Sequence, residues 1–237
     1  MHLIRSSMLF ATLLAGMGAG TLGALEGPGP GPGPDLDPGP APVSDGAVEP
    51  AGAPPDGTPQ ALAAALEPDG LRVAPAGEPP WELWLTPGAP TGAAEPSGGL
   101  GRAFPDLPEG AFLGLLHLPE AWTEYSGRRV APGLYTLRYL LRPEDGNHMG
   151  VSVYRDFLLL VPAADDPGPD VSPGADELIE LSRGATGTRH PAVLALFPLY
   201  DEPAPPAVVA NDLGQPTLAV ELDGTLLGLV VAGTGEK

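Results

Sequence analysis

The chain contains no cysteine, and Lys237 is its only lysine. The missing thiols exclude disulfides, a cysteine nucleophile and a lipid-modified cysteine behind a leader, so the fold must hold by its own core. Bases are scarce: 11 Lys and Arg stand against 30 Asp and Glu, a formal net charge of −19. A field of that sign repels nucleic acid and anionic lipid, which removes both as partners. The acid content is ordinary and Ala, Gly and Pro are abundant, so the shortage of bases reads as the bias of a GC-rich genome. No apolar run after the first 24 residues approaches the roughly 20 residues that cross a bilayer, so no stable membrane insertion is expected once they are removed. No Gly-x-Ser-x-Gly elbow is present, and the acids at Asp165, Asp166, Asp170 and Asp176 lack the spacing of a calcium loop.

What is present begins with residues 1–24, MHLIRSSMLFATLLAGMGAGTLGA, which have the form of a signal peptide. Arg5 gives the positive start, Met8–Gly18 a short apolar stretch, and small residues lead up to Ala24. The expected location is periplasmic or secreted. Residues 25–59 read as a disordered linker: between Gly27 and Pro59, 19 of 33 residues are Gly or Pro. Such a segment has too little apolar surface to offset its ordering entropy. Residues 60–237 form the expected single domain, long enough for a genuine core.

Within that domain the dominant period is two. In GLYTLRYLLRP, Tyr135, Leu137, Tyr139 and Leu141 share one face, and Leu134, Thr136, Arg138 and Leu140 the other. In GVSVYRDFLLLVP, Val151, Val153, Phe157, Leu159 and Val161 share a face broken by Arg155. The short connection between these runs predicts antiparallel pairing. Further strands are expected at Leu71–Val73, Trp81–Leu85, Ala111–Leu118, Ala192–Phe197 and in three carboxy-terminal runs, with a hairpin at Asp223-Gly224. Helices are expected at Pro59–Leu66, with Thr58 as N-cap, and at Ala175–Arg183, stopped by Gly184. The fold class is therefore mainly β: an antiparallel β-sandwich or partly open barrel with one or two short helices.

The run PGLYTLRYLLRPEDGNHMGVSVYRDFLLLVPAADD resembles a block of uncharacterised secreted bacterial proteins, and SRGATGTRHPAVLAL is similar to a second block of the same family. The resemblance implies export and a small β-domain and carries over no catalytic residue. The Pro-Gly-x-Tyr-x-Leu pattern at Pro132–Leu137 is also similar to transthyretin-like sandwich domains, where such a segment opens a core strand.

Candidate chemistry is sparse. The loop Glu144–His148 places an acid, Asp145, and an imidazole, His148, at a hairpin end, where binding groups often sit. Asp-Gly and Asn also favour turns on their own account. Arg138 and Arg155 lie on apolar strands and require partners if buried; Asp156, Glu144 or Glu120 are the plausible mates. Together the two arginines suggest an anion pocket, against the alternative of an ion pair at the sheet rim. Arg138, Asp145, His148, Arg155 and Asp156 are therefore the candidate ligand-binding residues. His148 beside Met149 suggests copper, but His117, His148 and His190 match no metal-ligand spacing, and no metal or other cofactor is expected. Trp81, Trp84 and Trp122 are candidates for a carbohydrate-stacking surface, with Trp81 and Trp84 on opposite faces of one strand. The function read from all this is a non-catalytic binding or structural accessory module for a small-molecule, glycan or protein ligand. The alternatives are a hydrolase of envelope or extracellular polymers using paired carboxylates, and a periplasmic metal-binding protein.

Overall fold

A computed structural model describes residues 46–88, 101–143, 154–200 and 203–231, all within the compact unit 40–237. The first half of the described chain forms β1 (Gly46–Gly52), α1 (Gln60–Ala64), β2 (Gly70–Pro75), β3 (Trp81–Leu85), β4 (Phe112–Leu118), β5 (Trp122–Thr123), β6 (Arg129–Val130) and β7 (Gly133–Leu141). The second half forms β8 (Asp156–Pro162), α2 (Ala175–Thr186), β9 (Val193–Phe197), β10 (Ala207–Ala210), β11 (Pro216–Leu222) and β12 (Thr225–Val230). Ten strands make one antiparallel sheet in the order β1-β2-β3-β4-β7-β8-β9-β12-β11-β10, and β5 and β6 pair separately as a hairpin. After β9 the chain crosses to the far edge as β10, then returns through β11 and β12 to pair with β9. The edge strands β1 and β10 lie against each other, so the sheet is nearly closed. Of the two mainly-β forms anticipated, the partly open barrel is the one adopted.

The period-two pattern explains which side chains fill it. Tyr135, Leu137, Tyr139 and Leu141 of β7 point into the barrel with Leu158 and Leu160 of β8, joined by Leu113 and Leu116 of β4 and Leu227 and Leu229 of β12. The opposite faces are buried too. Leu140, Leu159 and Val161 pack under Leu178 of α2, while Trp84, Phe112 and Leu115 pack under Leu62 and Leu66 from the α1 segment. Burial on both faces is why β4, β7 and β8 read as nearly continuous apolar runs. Helix α2 buries Leu178, Ser182 and Ala185, spaced four and three apart along one face.

Several boundaries differ from expectation. Part of the expected linker is a strand: Gly46–Gly52 pairs with β2, with Val48 opposite Val73, because the sheet supplies backbone partners that this Gly/Pro-rich stretch lacks on its own. The N-cap of α1 is Pro59, while the Thr58 hydroxyl donates to the Pro55 carbonyl at 2.7 Å. Helix α2 runs through Gly184 and stops at Gly187, which takes the left-handed conformation at φ 63° and donates its N–H to Arg183 O. Strand β8 starts at Asp156, and residues 151–153 lie outside the described residues. The two-residue strands β5 and β6 are too short to leave a periodic signal.

Candidate functional site

Arg138, on the outer face of β7, is fully buried. Its partner is Asp166, which is none of the three acids weighed from sequence. The Arg138 Nε donates to Asp166 Oδ2 at 2.9 Å and Nη2 to Asp166 Oδ1 at 2.5 Å. Nη1 donates to Gly110 O and Val171 O, and Nη2 also donates to Gly168 O. All five guanidinium hydrogens thus have acceptors, and no donor is left for a ligand. The group also sits over the Phe112 ring, 5.3 Å from its centre. Burial pushes the Asp166 carboxyl up. Hydrogen bonds from Arg138, Thr136 and the Gly168 N–H, with the Arg138 charge, outweigh that and hold it below the ordinary carboxylate range. Arg138 therefore clamps the 163–174 connection onto the barrel wall.

Asp156 faces the other side of the sheet. It accepts hydrogen bonds from the Ala103 and Phe104 N–H groups at 2.7 and 3.1 Å and from the Tyr139 hydroxyl at 2.7 Å. Its role is to fasten the 101–107 loop over one end of the barrel. Arg155 donates from Nε to Arg142 O at 2.8 Å, away from Arg138, so the two arginines are not brought into one pocket. Asp145, His148, Met149 and Glu144 lie outside the described residues. His117 is held by Glu82 (Nδ1 to Oε2, 2.9 Å), which also accepts from Arg72. With Glu49 these residues form a charged row in register across β1–β4. His190 is exposed at the end of the α2–β9 connection. Among the described residues no three His, Asp or Glu side chains gather as a metal site. All three tryptophans are buried: Trp81 and Trp122 in the barrel interior, and Trp84 on the outer face beneath the α1 segment. The indole of Trp84 approaches Gly70 so closely that a Cβ there would lie 2.3 Å from Nε1, which explains glycine at the entry to β2. A stacking platform of exposed tryptophan is thereby ruled out.

A concave surface with an apolar floor and four carboxylates lies at the barrel end where β2 and β12 begin and β3 and β11 finish. It is a groove of about 340 Å³. Its floor is Leu71, Leu83, Leu85, Val220 and Leu222, where the core reaches the surface. Glu67 and Asp69 rise from the α1–β2 side, Glu221 and Asp223 from the β11–β12 side. Pro87, Pro205 and Pro206 form rigid parts of the wall. The four acids are exposed, and among the described residues none has a hydrogen-bond or ion-pair partner for its side chain. The Asp223-Gly224 turn expected from sequence sets one wall: Leu222 and Thr225 pair across it, with φ 51° at Asp223 and 74° at Gly224. A larger hollow of about 450 Å³ beside Leu134 and Tyr135 is lined by prolines and small residues, with no charged group to orient a ligand.

The groove acids were missed from sequence because each belongs to turn chemistry. Glu67 and Asp69 lie in the connection that follows α1, where Pro68, Asp69 and Gly70 read as a helix stop, and Asp223 makes a hairpin; neither role signals that the two turns meet. Comparison with protein-family models, curated proteins and solved structures gives no match.

Proposed function

We propose that this chain is an exported, non-catalytic binding module that takes a cationic, partly apolar peptide segment in the groove between the α1–β2 and β11–β12 connections. The observation that carries the reading is the combination of an aliphatic floor with four carboxylates that have no counter-ion among the described residues. Aliphatic side chains of a ligand gain from the floor, and Lys or Arg heads gain from the rim. The barrel interior is packed with its own side chains, which directs ligand to the outside. The export leader at residues 1–24 would place the module in the periplasm or outside the cell.

Calorimetric titration of the purified chain with a short Lys/Leu peptide, its lysine-acetylated analogue and a neutral oligosaccharide tests the reading. Binding of the cationic peptide, weakened by salt and by acetylation, is expected. Equal binding of the acetylated peptide, or preference for the oligosaccharide, would overturn it. One feature favours hydrolysis as a second reading: the acids stand in two pairs on opposite sides of one groove. Release of reducing ends from a polysaccharide panel, abolished in Glu221→Gln or Glu67→Gln, would establish it over simple binding.

A further inference from the structure

We propose that Tyr154 and Tyr200 form an oxidative modification site at which the two phenols are joined into an intrachain dityrosine. Tyr154 precedes β8 and Tyr200 follows β9, yet their hydroxyls meet at 2.9 Å across 46 residues of chain. The Tyr154 ring is seated edge-on against Phe197, with centroids 5.3 Å apart and planes at 80°, over a patch made by Ala195, Phe197 and Val230. One phenol is thus fixed. The other is open to oxidant, since Tyr200 is 66% exposed. The remaining tyrosines are placed differently. Tyr135 and Tyr139 are buried, their hydroxyls bound to Ala131 O and Asp156, and Tyr125 is half-buried against the same patch. The hydrogen bond with Tyr200, followed by burial, pushes the Tyr154 phenol up to about 12, so its ring stands as a neutral phenol near pH 7.

The chemistry balances with a haem peroxidase and hydrogen peroxide as oxidant. Each phenol loses one electron and its hydroxyl proton, giving two phenoxyl radicals. A carbon–carbon bond then forms between ring positions ortho to the oxygens. Each coupled ring transfers its ortho hydrogen to oxygen and regains its phenol. The protein has lost two electrons and two protons, and one hydrogen peroxide has become two waters. Hydroxyl-to-hydroxyl contact brings the ortho carbons near one another, so coupling within the chain competes well against collision between molecules. The product would close a loop over β8, α2 and β9, a covalent staple in a chain that has no cysteine for one.

The test treats the dilute full chain with peroxidase and hydrogen peroxide. Expected are dityrosine fluorescence on the monomer, a mass lower by two hydrogens, a Tyr154–Tyr200 linked peptide and a higher Tm. Tyr200→Phe and Tyr154→Phe, which remove only a hydroxyl, should each cut the monomer signal by about tenfold or more. Linkage through other tyrosines, coupling seen only as dimers, or an undiminished monomer signal in Tyr200→Phe would overturn the assignment.

Discussion

Charge is handled in opposite ways on the barrel wall and at the groove. On the wall, Arg138 and Asp166 are both fully buried and each is saturated: five acceptors for the guanidinium, and donors from Arg138, Thr136 and Gly168 for the carboxylate. At the groove, Glu67, Asp69, Glu221 and Asp223 stand over an aliphatic floor with no cation beside them among the described residues. A buried ion is tolerated only when its whole hydrogen-bonding capacity is met, so the wall arginine serves the fold. Exposed carboxylates are under no such demand. Their gathering around apolar surface leaves a field and a contact area that a ligand of the opposite sign would use. Arg138, one of the ligand-binding candidates in sequence, thereby serves the fold, and the functional reading moves to residues that look like turns.

The largest expected effect breaks the wall. Arg138→Met should destabilise the protein by about 3–5 kcal/mol in urea denaturation, because it strands the Asp166 carboxylate. A loss below about 1 kcal/mol would place the pair among ordinary surface ion pairs. Because the folded Asp166 value is lowered, its stabilisation exists above the ordinary carboxylate pKa and disappears as pH falls through the folded value. The acid limb of stability against pH should therefore flatten in Arg138→Met. Next in size, Asp156→Asn replaces one acceptor oxygen with a donor and should cost about 1–3 kcal/mol. Faster hydrogen exchange at the Ala103 and Phe104 amides would localise that loss to the 101–107 loop.

At the groove the sign of the comparison reverses. Glu221→Gln combined with Asp223→Asn should leave stability within about 0.5 kcal/mol and weaken the cationic peptide by about tenfold, or 1.4 kcal/mol. Asparagine tolerates the positive φ of the turn, so the fold is preserved. Loss of stability with unchanged affinity would place these acids with the wall residues. The smallest effect concerns Glu124, a buried carboxyl with an arginine neighbour that is less well served than Asp166. Burial raises its pKa above the ordinary value despite hydrogen bonds from Ser126 and Arg128, and one oxygen has no partner. Here stability is present below the ordinary pKa and lost as pH rises through the raised one. Glu124→Gln should flatten that alkaline-side decline, measured by denaturation between about pH 4 and 8.

The barrel was legible where period two met apolar residues. Tyr135, Leu137 and Tyr139 announce their shared face, and Asp223-Gly224 announces its hairpin. Gly46–Gly52 was not legible, since its strand character comes from pairing with Arg72 and Val73 rather than from its own GAVEPAG. Nor was the end of α2, because a glycine inside a helix costs only about 1 kcal/mol and packing of Leu178 and Ala185 overrides it. Arg138 on an apolar strand shows in sequence that it needs a mate. Asp166 could not be picked out among the neighbouring acids, because the choice depends on how the 163–174 connection folds back across the strands. The groove depends on the same kind of information: two turns about 150 residues apart in sequence meet only once the sheet has curled.

Methyl NMR of the full chain during titration with the Lys/Leu peptide addresses the groove most directly. Saturable shifts of the Leu71, Leu83, Leu85, Val220 and Leu222 methyls are expected, and they should vanish with the acetylated peptide. Unmoved groove methyls at saturating peptide, or shifts centred instead on Leu134 beside the uncharged hollow, would contradict it.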